Sequence, residues 1–206
     1  MRTSFPGAEK PMVPTLKQLC GSKVDCDVDT LEHTIQLAVE IAREGREGHK
    51  IGTLFVVSDE RETLRRSRNL ILDPLFGHPP EVKRISDPNM RETIKELAQL
   101  DGAFIVGGDG VVISAARYIN ASADGIELPL GLGSRHVAAA SITRDTHAVA
   151  VVVSESSVVR LFNEGRLIAE IIPEIWLFSH ESVKISGPCQ ENRIADLRIF
   201  SVRDTD

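Results

Sequence analysis

Aromatic residues are scarce, at 4% of this 206-residue chain, with a single tryptophan and a single tyrosine. So few rings leave little platform for stacking the bases of a single strand. A basic surplus is missing as well. Twenty-four lysines and arginines face 30 acidic residues, for a formal net charge of −6. Nucleic-acid binders draw much of their affinity from neutralised phosphates, so this balance points away from nucleic acid as a partner. Cysteine is limited to Cys20, Cys26 and Cys189. An odd, low count suits free thiols in a reducing compartment better than a disulfide framework. The gap between Cys20 and Cys26 is not a zinc-ribbon spacing. No apolar run approaches the roughly 20 residues a membrane span needs. The opening Met1-Arg2-Thr3-Ser4-Phe5-Pro6-Gly7 lacks the apolar stretch of a secretory signal. The expectation is a cytoplasmic protein with no membrane partner.

What is present is an ordinary globular composition, 42% hydrophobic and 26% charged. A chain of this length buries about 70% of its unfolded surface, enough to fold without a metal or disulfide staple. Residues 1–27, with Pro6, Pro11 and Pro14, read as a partly ordered leader. Leu31, Ile35, Ala38, Val39 and Ala42 recur at helical spacing. Asp29 and Glu32 ahead of them form a capping signature, and Gly45 and Gly48 end the helix. The run from Ile51 to Val57 reads as a strand, and residues 60–67 as a short polar helix. A second clear helix opens at Asp87 with Pro88 at its first position.

Ala103–Val106 and Val111–Ala115 read as strands joined by Gly107-Gly108-Asp109-Gly110, a hairpin signal. That tetrapeptide opens like a diguanylate cyclase signature, but Gly110 and Val111 stand where glutamate and phenylalanine should follow. A loop over 120–127 leads to a helix from Ser134 to about Thr143. The run Ala148–Val153 is the most apolar in the chain and suits a central strand buried on both faces. Two further strands, 158–162 and 167–172, follow tight turns. The predicted class is α/β, a mixed central β-sheet flanked by helices on both faces. The predicted domain covers 28–185. Residues 186–206 form a polar C-terminal extension, with a strand over 197–202 as an alternative.

Three segments carry chemistry. In Asp101-Gly102-Ala103, an acid at the mouth of a strand suits a metal or a hydroxyl, and the glycine admits close approach to backbone. A plain helix-to-strand turn uses the same residues. In Gly131-Leu132-Gly133-Ser134-Arg135-His136, glycines precede a helix start, whose free N–H groups and dipole attract anions. It lacks the third glycine of a dinucleotide fingerprint and the lysine of a P-loop. A capped helix explains it equally. In Ser154-Glu155, a carboxylate follows the most buried strand. Ligands in α/β sheets gather beyond the carboxyl ends of strands, and a hard cation prefers oxygen donors there. A hairpin turn is the bland alternative. His33, His49, His78, His147 and His180 show no metal-ligand spacing.

Taken in order, these segments resemble the diadenylate cyclase domain, the nucleotide-binding domain of the DisA family. The matching residues are Asp101-Gly102-Ala103, Gly133-Ser134-Arg135-His136 and Val153-Ser154-Glu155. The resemblance runs from about Leu31 to Ile175 and looks closest to the archaeal, DacZ-like branch. It implies condensation of two ATP into cyclic di-AMP with release of two pyrophosphates, a divalent metal (Mn or Mg), and a homo-oligomer whose sites meet face to face. By the same resemblance Asp101, Arg135 and His136 are catalytic, and Asp101 and Glu155 hold the metal. ATP binding falls to Gly102, Ala103, Leu128, Pro129, Gly131, Leu132, Gly133, Ser134 and Ser154. Leu128, Pro129 and Leu132 would wall the adenine. Two positions depart from the commonest bacterial pattern. Val137 stands where a basic residue is usual, and Ser156 where a second glutamate is frequent. Val137 favours an alternative reading, a catalytically weak module that binds ATP or senses cyclic di-AMP.

Overall fold

The computed structural model describes residues 26–174, 189–194 and 197–202. The expected leader is outside the described residues up to position 25, and so is Cys20. The chain divides into two compact units, the first ending at Pro173 and the second beginning at Glu174.

The first unit opens with α1, Val28–Glu44. Asp27 caps it by accepting a hydrogen bond from the Asp29 amide at 3.2 Å, and Gly45 closes it. The cap is therefore two residues earlier than the Asp29/Glu32 signature implied. Asp29 lies inside the first turn, where its charge still suits the positive end of the helix. β1, Thr53–Val57, is buried at every position. A short helix α2, Glu60–Arg65, is followed by β2, Ser67–Asn69, an edge strand that begins at the last residue of the predicted helix and that the sequence reading did not include. Helix α3, Pro88–Leu97, has Asp87 accepting from the Met90 amide at 3.0 Å and proline at its first position. Then come β3, Ala103–Val106, and β4, Val112–Ile119. β4 runs past the predicted Ala115 because its far end pairs with β2 and the Arg117 side chain clamps that strand, donating to the Ser67 carbonyl at 2.9 Å. Helix α4 spans Ser134–Asp145. Strands β5, Val149–Val153, β6, Val159–Asn163, and β7, Arg166–Ile171, complete the sheet.

The seven strands run β2-β4-β3-β1-β5-β6-β7. β1 and β3 are parallel, and the other pairs are antiparallel. β1 lies at the centre, and β5 is buried throughout, as its β-branched run predicted. Alternation along the strands separates two faces. Leu54, Val56, Ala103, Ile105, Ala150, Val152 and Phe162 meet Ala139, Ala140 and Ile142 of α4. On the other face Phe55 stacks on Phe104 with ring centroids 5.1 Å apart, and α1 covers β5 and β6. The mixed sheet with helices on both faces is thus as expected.

An ion-pair network ties α3 to α1. Arg91 meets Glu40 at 2.5 Å, and the nearly buried Lys95 meets Glu40, Glu44 and Glu92 at 3.1, 3.4 and 2.9 Å. Burial works against the Lys95 charge, but the Glu92 and Glu40 hydrogen bonds outweigh it and hold its pKa above the usual lysine range. Among the described residues no helix is long and apolar enough to cross a membrane. The second unit contains β8, Cys189–Ile194, paired antiparallel with β9, Leu197–Val202.

Candidate nucleotide site

The site is set by sheet register. Leu54 pairs with Ala103 in the parallel ladder, and Thr53 pairs with Val153 in the antiparallel one. Carrying both registers outward brings Asp101, Gly52 and Ser154 side by side at one end of the sheet. Ser154-Glu155 lies beyond the carboxyl end of β5, as expected. Because β5 runs against its neighbours, that end is also the amino end of β1 and β3.

α4 lies over this end, and its second residue, Arg135, reaches into the gap. Arg135 Nη2 donates to Asp101 Oδ1 and Nη1 donates to Glu155 Oε1, each at 3.2 Å. One guanidinium thus joins the first, second and third motifs. The Arg135 side chain is 33% exposed, Asp101 86% and Glu155 68%, so both carboxylates remain open to solvent. No side chain caps α4 at Gly133, which leaves its first amides available to an anion.

A cleft of about 610 Å³ opens beside this fork, within the size range of small-molecule sites. Asp101, Gly102, Ala103, Ser134 and Arg135 line it. Gly102 is there for two reasons. Its φ of +111° is a conformation side chains rarely adopt, and a Cβ would come within 2.6 Å of the Ala116 carbonyl carbon.

Other expected residues lie elsewhere. His136 is buried and does not line the cleft. Its ring packs edge-on to Phe162, centroids 6.1 Å apart, and its Nε2 lies 3.4 Å from Arg160 Nη1. Arg160 in turn meets Glu170 at 2.6 Å. Burial first, and then the Arg160 charge, push the His136 imidazole below the ordinary histidine pKa. Leu128 packs on the core beneath α4, while Pro129, Gly131 and Gly133 are exposed and Leu132 half-buried on the loop before the helix. None of these five lines the cleft. Ser154 Oγ turns to Ser156 Oγ at 2.9 Å within the β5–β6 turn. The cleft walls are instead Leu54, Leu70, Arg117, Tyr118, Ile119, Val137 and Ala138. Of these, the adjacent Arg117 and Tyr118 carried the visible signal, a cation and a ring at the end of a mostly apolar strand. Val137, which departs from the commonest bacterial pattern, is apolar wall.

Among the described residues no group of three histidine, cysteine or carboxylate side chains could hold a metal by itself. Asp101, which lines the cleft, and Glu155, joined to it through Arg135, are a pair of hard oxygen donors at this end of the sheet.

Residues 40–167 match the family described as DisA bacterial checkpoint controller nucleotide-binding. The chain belongs to this family. It is 47% identical over 160 residues to a diadenylate cyclase of Methanocaldococcus jannaschii, covering 77% of this chain and 50% of that protein. It is 39% identical over 153 residues to a diadenylate cyclase of Haloferax volcanii, covering 73% and 55%. The DisA-family chain spans about half the length of these curated relatives, both of them archaeal. A crystal structure of DacA from Staphylococcus aureus overlays with a TM-score of 0.48 at 23% identity, over 74% of this chain and 95% of that one.

Proposed function

We propose that this DisA-family chain is a diadenylate cyclase, a nucleotidyltransferase condensing two ATP into cyclic di-AMP and two pyrophosphates. The observation that carries the reading is the Arg135 fork between Asp101 and Glu155 at the mouth of a nucleotide-sized cleft. In each half-reaction a 3′-hydroxyl oxygen bonds to the α-phosphorus of the other ATP. The bond from that phosphorus to the bridging oxygen breaks, and pyrophosphate leaves with the electron pair. Transfers of this kind depend on positioning and on spreading charge. Asp101 accepts the hydrogen bond of the attacking hydroxyl and orients it, and the hydroxyl proton passes to solvent as the new bond forms. Arg135, held between Asp101 and Glu155, offsets charge on the departing pyrophosphate, with the free amides of α4 behind it. Ser134, Gly102 and Ala103 line the cleft and hold the nucleotide.

Asp101 and Glu155 fit a divalent cation, because Mg²⁺ and Mn²⁺ are commonly held by one or two carboxylates with substrate phosphates filling the rest. When bound, the ion supplies positive charge against the phosphates. One cleft holds one ATP, and the exposed Asp101 faces outward, so the second ATP comes from another copy set face to face in a homo-oligomer. His136, Ser154 and the 128–133 loop support the site from behind and beside it.

The second reading, a nucleotide-binding or cyclic di-AMP-sensing module with weak turnover, is favoured by Val137, which puts an apolar wall in the cleft where a cation is common. Incubation with ATP and Mn²⁺ or Mg²⁺, followed by liquid chromatography with mass detection, separates the two. A cyclic di-AMP peak is expected. Bound but intact ATP would move the weight to the sensor.

A further inference from the structure

Gly52 stands where the three motifs converge, yet no motif includes it. Sheet register places it between Asp101 and Ser154. It shares a face with Leu54, which packs beneath α4 and lines the cleft. It is buried, so its lack of a side chain leaves a space inside the protein rather than on the surface. Its backbone needs no glycine, because its φ lies outside the left-handed region. The requirement is one of room. A Cβ at this position would lie 2.7 Å from Arg135 Nη1, 3.2 Å from Arg135 Cζ and 3.3 Å from Glu155 Cγ.

We infer that Gly52 is a positioning residue, and that its missing side chain is the space in which the Arg135 guanidinium lies between Asp101 and Glu155. The atoms nearest to such a methyl group belong to two long side chains rather than to backbone. The fold can accept it by letting Arg135 swing away, and that movement is what removes function. The inference rests on the proposed role of Arg135 at the phosphates, and it deepens that role by naming what holds the arginine in place.

The test is a double-mutant cycle of Gly52→Ala and Arg135→Ala, read by ATP affinity in the presence of Mg²⁺ and by melting temperature. Gly52→Ala should weaken ATP binding by about tenfold or more, the lower end for a lost charge-assisted contact. Its melting temperature should stay within about 4 °C of the parent protein. Added to Arg135→Ala, it should change affinity by less than about twofold, because it acts only through the arginine. Parent affinity in Gly52→Ala, an equal loss with and without Arg135, or loss of folding in both backgrounds would each overturn the inference. If the parent protein itself fails to bind ATP, the cyclase reading falls, and the unliganded crystal structure of Gly52→Ala still decides the geometry. Arg135 contacts to Asp101 and Glu155 opened beyond about 4 Å are expected there. Contacts kept as in the parent would refute the clearance role.

Discussion

Replacing Arg135 by alanine removes two ion pairs, each 3.2 Å long, together with a side chain that is 33% exposed. The partners are 86% and 68% exposed, so each pair is screened by water. Exposed pairs contribute between about 0 and 1 kcal/mol to folding. Without the guanidinium, Asp101 and Glu155 also repel each other, which keeps the net loss near the upper end, about 1 kcal/mol. For a chain of this size that lowers the melting temperature by roughly 2–4 °C. Binding is a different matter. A phosphate in the cleft that loses a charge-assisted hydrogen bond gives up about 1.5–3 kcal/mol, which is roughly 10- to 150-fold in affinity. The variant is thus expected to fold almost normally while its ATP dissociation constant rises by one to two orders of magnitude. Scanning calorimetry and isothermal titration with Mg²⁺–ATP measure the two quantities on the same preparation. An ATP affinity within about twofold of the parent would refute the phosphate role. A fall in melting temperature beyond about 10 °C would show instead that Arg135 is structural.

Three further outcomes are expected. Asp101→Asn keeps shape and removes charge at an exposed position, so chromatography should find product lost with the melting temperature nearly unchanged; parent-level turnover would remove Asp101 from the chemistry. Gly102→Ala forces a side chain into a φ of +111° and within 2.6 Å of the Ala116 backbone. The strain alone costs about 1–3 kcal/mol, so denaturant unfolding should show at least that loss, and an unchanged midpoint would contradict the geometry. His136 has a folded pKa below its ordinary value of 6.5. Below that value the unfolded chain binds the extra proton more readily, so this group's stabilisation is full above it and fades as pH falls toward the folded pKa. The melting temperature should therefore drop between about pH 7 and 5.5, and less so in His136→Asn; equal slopes in the two proteins would rule out this source.

The β-branched run of β5, the spacing along α1, and the Asp87-Pro88 start of α3 were all legible, because each depends on residues close in sequence. Local ambiguity explains what was not. The short edge strand β2 is polar, and only pairing with Ile119, Tyr118 and Arg117 makes it a strand. The α1 cap at Asp27 rather than Asp29 turns on which side chain reaches a free amide, a difference of two residues that pattern alone does not resolve. In the candidate site, Asp101, Gly102, Ala103, Ser134 and Arg135, which line the cleft, and Glu155, which pairs with Arg135, were legible as motifs. The side chain of His136, beside Arg135 in sequence, faces the core because neighbours on a helix point about 100° apart.

The sequence by itself determined the class of fold, the family and the order of the three motifs, since these reside in periodicity and in short runs of residue types. It could not determine that Asp101, Arg135 and Glu155 share one guanidinium, or that Gly52 makes room for it. Those facts follow from strand register and direction. One antiparallel partner, β5, brings a carboxylate from its far end to the starting ends of β1 and β3, and only the assembled sheet sets that alignment.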